Sequence, residues 1–154
     1  MHKYKDLIKA LEHSSNDTFW NGPSSADQIE KLETILDLQF PKDFRDFLAA
    51  CGGGGAVDSE ICGIENNDAI LDSGGTINYS THYCRSNFCL PKPMAVIYFK
   101  DDEVCWVIDC SPCGGGKILT YDLFKNKLSK IIADNFHSFF KEYVELRSHN
   151  TTPN

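Results

Sequence analysis

Seven cysteines are the first chemistry this chain of 154 residues offers. Cys105-x4-Cys110-x2-Cys113 has the spacing of the first three ligands of a plant-type iron–sulfur cluster, with Cys84 or Cys89 as a fourth. The context argues against it. Cluster ligands sit on a loop that wraps the inorganic core, whereas Cys105 falls inside a strongly patterned strand, and no cysteine follows Cys113. Zinc is a better version of the idea: Cys110-x2-Cys113 is knuckle-like, and Cys84-x4-Cys89 or His82 would complete a tetrahedral site. Against zinc stand the loose second pair and the frequency with which buried cysteines act as small apolar residues. Cys110-Ser111-Pro112-Cys113 also has a dithiol redox spacing. That chemistry needs a helix N-terminus to depress the first thiol, and here a strand precedes and three glycines follow. Neither a metal nor a cofactor is therefore assigned.

Other catalytic arrangements fail in the same way. Gly52–Gly55 follows a helix and Gly114–Gly116 joins two strands, whereas a phosphate loop leads from a strand into a helix. There is no Gly-x-Ser-x-Gly elbow and no His-Glu-x-x-His. His137 lies beside Phe136 on an apolar helix, and nothing ties His82 to a carboxylate. The residues do not assemble an enzyme. What remains is acidity: the net charge is −7 with an isoelectric point near 5.1. That balance excludes a nucleic-acid binder, which meets phosphates with a basic face. It suits solubility, or electrostatic steering toward a basic protein. Glu60, Glu65, Asp68 and Asp72 surround the first strands, and Asp101, Asp102 and Glu103 cap a hairpin. These seven are the candidate partner-binding residues.

The elements that position them are organised around residues 24–55. Ser25 with Gln28 fits a capping box. Ile29, Leu32 and Leu36 then recur on one helical face, with Glu30, Lys31, Glu33 and Asp37 on the other. Leu38 and Phe40 alternate with polar residues, a brief extended link that Pro41 enforces by disfavouring helix at Phe40. A second helix follows with Phe44, Phe47 and Leu48 inward, and four glycines from Gly52 end it. The register Ile29-x-x-Leu32-Glu33-x-x-Leu36-x-Leu38-x-Phe40-Pro41-x-x-Phe44-x-x-Phe47-Leu48, then Gly52-Gly53, resembles the signature of the SUKH superfamily, the Smi/Knr-like domains. Trp20 and Gly22 lie upstream, where that family often carries an aromatic and a small residue.

The rest of the chain reads as one domain over residues 1–147 with a frayed tail over 148–154. At this length about two thirds of the unfolded surface is buried. Tyr4, Leu7, Ile8 and Leu11 predict a helix over 3–13, and residues 14–22 a polar connection ending at a partly buried Trp20. Glu60–Ile64 is expected as a strand, Ala69–Leu71 as a strand or helical turn, and Asp72–Gly75 as a turn. Thr76–Tyr83 is expected as strand or irregular, and Cys84–Pro93 as a surface loop. Met94–Phe99 and Val104–Asp109 form the clearest hairpin, joined through Asp101-Asp102. Lys117–Tyr121 adds a third strand and Lys130–Ile132 an edge pairing. Asp134 is expected to cap a last helix carrying Phe136, Phe139, Phe140, Tyr143, Val144 and Leu146. The fold class is α+β: helices on one side of a mostly antiparallel sheet.

Met1–Glu12 mixes Lys3, Lys5, Asp6 and Lys9 with apolar residues, unlike a signal peptide, and no stretch has the length of a membrane span. Seven cysteines then read as reduced thiols in a cytoplasm. The resemblance implies more than the residues do. Bacterial SUKH proteins are typically immunity proteins that bind and block a toxin made beside them, often a nuclease, while fungal relatives regulate cell-wall synthesis through protein contacts. The expectation is a non-enzymatic cytoplasmic immunity protein whose partner is a basic toxin domain. It would contact neither nucleic acid nor membrane, and its oligomeric state is left open by the sheet's edge strands. A regulatory adaptor of the fungal kind is the alternative, and a small zinc protein the third.

Overall fold

The structure, a computed structural model, describes residues 2–149. Helix α1 (His2–Glu12) opens the chain and buries Tyr4 and Leu11. The Tyr4 ring sits 5.7 Å from Phe47 and 5.9 Å from Phe140, and its hydroxyl donates to the Asp43 carbonyl at 2.7 Å. The expected polar connection contains a short strand, β1 (Thr18–Trp20). Helix α2 (Ala26–Leu36) starts where its cap predicts, with the Ser25 side chain accepting the Gln28 N–H. The reciprocal half of the capping box is not made. Gln28 Oε1 instead accepts the Ala69 N–H at 2.8 Å, tying α2 to a distant loop.

The hinge forms as its residues dictate. Asp37 ends α2 in the left-handed region with φ 57°, and Pro41 caps α3 (Lys42–Cys51). Ile29, Leu32, Leu36, Phe40, Phe44, Phe47 and Leu48 all enter the main core. Gly52 stops α3 with φ 74°, but the glycines beyond it do more than stop a helix. Gly54–Ala56 forms strand β2, antiparallel to β1, with Trp20 opposite Gly54. Residues 61–63 then cross beneath, so close that a Cβ on Gly63 would overlap the Gly52 carbonyl. The strand expected over Glu60–Ile64 is thereby reduced to single bridges, Gly54 to Ile61 and Gly63 to Thr76.

The largest departure lies next. Residues 77–88, expected as strand or irregular and then a surface loop, form helix α4 (Ile77–Phe88). Thr76 caps it by accepting the Tyr79 N–H, and Cys89 ends it with φ 55°. Its buried face is Ile77, Asn78, Ser80, Thr81 and Cys84, a helical spacing hidden by polar side chains. Four strands follow as an antiparallel meander, β3 (Met94–Lys100), β4 (Val104–Asp109), β5 (Ile118–Asp122) and β6 (Lys127–Ala133), paired in that order. The last is longer than the edge pairing expected. Helix α5 (Phe136–His149) closes the core, capped by Asn135 rather than Asp134: Asn135 Oδ1 accepts the Ser138 N–H at 2.8 Å. Ser148 and His149 are helical; the rest of the expected tail lies outside the described residues.

Alternation sorts the sheet. Ala95, Ile97, Ile108 and Ile118 face the core shared by α1, α2, α3 and α5. Met94, Val96, Cys105, Val107 and Tyr121 face a second cluster, which Cys84 of α4 completes. The free edge of β3 is closed by side chain and loop. The Val96 N–H donates to Thr81 Oγ1 at 3.0 Å, and the Cys62 N–H donates to the Ile97 carbonyl at 2.8 Å. The architecture is α+β in one domain, with α4 adding a layer over the far face. Among the described residues no helix is long and apolar enough to cross a membrane.

A candidate partner-binding face

Of the seven acidic residues, Glu60, Glu65 and Asp72 line two grooves, Asp101, Asp102 and Glu103 make the tip between β3 and β4, and Asp68 lies in the loop that leads toward α4. Glu60 and Glu65 line the first groove, of about 390 Å3, between Phe19 of β1 and the Tyr98–Lys100 end of β3. Glu65 is held there, accepting the Ser73 hydroxyl at 2.6 Å. Asp68 is half-buried and accepts the Ile70 N–H at 3.2 Å, which shapes the loop into α4. Asp72 lines the second groove, of about 530 Å3, against α4.

Asp101, Asp102 and Glu103 make the exposed tip between β3 and β4. Asp101 and Asp102 both take φ 55°, a left-handed pair that aspartate tolerates better than most side chains, and the Glu103 N–H closes the turn on the Lys100 carbonyl at 3.0 Å. Asp102 reaches α4, where the Tyr83 hydroxyl donates to it at 3.5 Å. That carboxylate is the main reason the Tyr83 hydroxyl titrates above the usual tyrosine range. Tyr98 is raised too, by burial first, with Glu60 and Asp101 adding to it. Glu60 and Asp101 therefore act on one phenol, and Asp102 on another.

Among the described residues, ion pairs join Lys42 to Asp46, Arg45 to Glu33 and Lys92 to Asp37. None of the seven is in one. Lys100, the cation nearest the tip in sequence, donates instead to the Asp58 carbonyl at 3.1 Å. The negative field of this side is thus left uncompensated by direct pairing.

Sequence reasoning missed the aromatic part of the face. Tyr79 and Tyr83 stack on the outer side of α4, centroids 5.6 Å apart and planes 18° from parallel, and Tyr83 also meets Phe99 edge-on at 5.6 Å. Their i, i+4 spacing after a Thr cap is the sequence signal for it, masked by the polar residues of the segment.

Cys84 of α4 and Cys105 of β4 meet between helix and sheet, both buried, while Cys110 is half-buried and Cys89 and Cys113 are exposed. Burial drives the Cys110 thiol up to about 12, the opposite of an activated thiol. Among the described residues no group of three or more His, Cys, Asp or Glu side chains is placed to hold a metal ion. His82 Nδ1 meets the Asn78 carbonyl at 3.0 Å, and the half-buried His137 packs edge-on against Tyr4 at 5.5 Å.

A larger groove, about 1150 Å3, lies elsewhere, between the hinge (Leu38–Pro41) and the loop from Asp109 to Gly116. Its charges are partly self-paired, Arg45 with Glu33 at 3.8 Å and Lys92 with Asp37 at 3.0 Å.

A family model, SUKH_5, described as SMI1-KNR4 cell-wall, matches residues 4–145. The chain belongs to this SUKH family, and the hinge motif and α4 both fall inside the match. No curated protein matches the chain.

Proposed function

We infer that this chain is a non-enzymatic immunity protein that binds a cognate toxin in the cytoplasm and occludes its working surface. The toxin is a basic domain of nuclease type. The observation that carries the reading is the set of seven carboxylates, none of them ion-paired among the described residues, of which Asp102 bonds to and Asp72 shares a groove with a stacked tyrosine pair. Unpaired surface charge accelerates encounter with a basic partner, and tyrosines supply affinity once the two surfaces meet. Family membership supports the same reading.

The test is growth of cells expressing the gene beside this one, with and without this chain, followed by co-purification. Relief of toxicity with a stable complex is the expected result. A toxic neighbour that this chain neither binds nor neutralises overturns the reading. The family's description, which names the cell wall, favours a second reading as a regulatory adaptor. That reading leads if no neighbour is toxic and the chain co-purifies with cell-wall synthesis proteins.

A further inference from the structure

The groove beside α4 combines features that acidity alone does not explain. Its floor includes Ile70, 58% exposed, and Tyr79, 37% exposed, large apolar surfaces left to solvent at one place. Asn78 lines it although only 7% exposed. The Asn78 amide nitrogen is spent on the carbonyls of Ala69, Ile70 and Leu71, each at 3.4 Å. Its Oδ1 is buried and has no donor. That oxygen is closed to solvent, so Asn78 holds the 69–71 loop in place and the open acceptor of the groove is Asp72. Asp72 supplies a carboxylate on the same lining, and no Lys or Arg shares it. Asp102 stands at the Tyr83 end.

We propose that this groove takes an arginine side chain of the partner, its guanidinium laid on the exposed face of the Tyr79–Tyr83 stack and its N–H groups given to Asp72. The inference rests on the reading of this side as a partner-binding face, and it names the group recognised. A guanidinium is planar, stacks on aromatic faces and carries five donors without an acceptor, which matches a site of aromatic faces and acceptors. An ammonium has the charge but neither the plane nor the fork, and it is more strongly hydrated. The groove therefore discriminates between the two cations, whereas a merely acidic surface does not.

The test uses the full chain and two probes, a hexa-arginine and a hexa-lysine peptide, followed by calorimetry and by amide NMR shifts. Hexa-arginine should bind about fivefold more tightly than hexa-lysine, with shifts centred on residues 70–83. Tyr79→Ala should bring the ratio to about one, and Tyr79→Phe, which keeps the ring, should preserve it. Asp72→Asn should weaken the arginine peptide more than the lysine peptide. Equal affinities for the two peptides, a preference that survives Tyr79→Ala, or shifts centred on the hinge groove overturns the proposal. The toxin-rescue assay is a separate readout. Rescue by an unsubstituted chain that shows no arginine preference rejects the groove alone, and arginine binding without rescue rejects the immunity reading alone.

Discussion

Glu33 and Phe40 are joined across the hinge: Glu33 Oε2 accepts the Phe40 N–H at 2.7 Å, and both residues are buried. The extended link forced by Pro41 leaves that N–H outside any helix, and the carboxylate of the preceding helix satisfies it. Arg45 stands 3.8 Å from the same oxygen, so the charge is partly compensated. This accounts for an acidic residue on the buried side of α2, where periodicity alone would place it among the solvent-facing charges.

Glu33→Ala should therefore destabilise the fold by about 1–3 kcal/mol, because it strands a buried donor. Glu33→Gln keeps an acceptor and should lose less. Urea unfolding of the two variants checks this, and equal losses would refute the acceptor role.

Tyr143 ties the glycine strand to the last helix. Its hydroxyl accepts the Ala56 N–H at 3.0 Å and donates to the Ser59 carbonyl at 2.7 Å. A Cβ on Gly55, whose φ is 140°, would overlap that hydroxyl. Tyr143→Phe should cost about 1–3 kcal/mol. Gly55→Ala should cost about as much or more, through backbone strain and overlap together. A double-mutant cycle separates the two: Gly55→Ala should be at least ~0.5 kcal/mol less damaging in the Tyr143→Phe background. Strict additivity would show that the hydroxyl is not what excludes the side chain.

The core thiols make stability fall in alkali. Burial pushes Cys62 from the ordinary 9.0 up to about 11 and Cys51 up to about 12. The fold thus holds the neutral thiol, and the unfolded chain ionises first. The contribution is complete below pH 9, shrinks as the unfolded chain loses its proton, and is exhausted once pH passes the folded values. Melting temperature measured from pH 8 upward should drop across this window. Cys62→Ala should flatten the part between pH 9 and 11, whereas a drop unchanged by that substitution would assign it to other groups.

How much of this was legible depends on which side chains mark each element. The α2–hinge–α3 unit and the Met94–Asp109 hairpin were readable because large apolar residues and Pro41 fall at diagnostic spacings. Helix α4 was not, because Ser80 and Thr81 occupy its buried face and Thr81 is there to close the β3 edge rather than to add apolar area. Strand β2 offers the reader glycines, and β1 leaves Phe19 exposed, so neither shows a buried stripe. The acidic residues were legible as charges, since aspartate and glutamate announce themselves wherever they sit. Their neighbours were not. The pairing of Asp102 with Tyr83 depends on α4, and the tyrosine stack and Asn78 went unread with it.

The hairpin tip offers the most direct probe of the acidic side. Asp101 and Asp102 are exposed and outside any ion pair, so their charge acts through solvent at a distance rather than in a desolvated contact. Replacing both with lysine changes the local charge by four units while leaving the β3–β4 ladder, from Met94–Asp109 to Lys100–Val104, in place. The left-handed backbone at both positions suits lysine less well than aspartate, so Asp101→Asn with Asp102→Asn, which keeps residues that tolerate that region, serves as the control for turn strain. Association with the co-purified toxin should slow by roughly tenfold at low salt in the lysine pair and by less in the asparagine pair. Both defects should shrink as ionic strength rises toward 1 M, because the Debye length falls to about 3 Å. Dissociation should change little, as expected of rim charges. Surface plasmon resonance at two salt concentrations reads all three quantities. An on-rate unmoved by charge reversal would remove the hairpin from the docking face and leave the α4 groove to carry it.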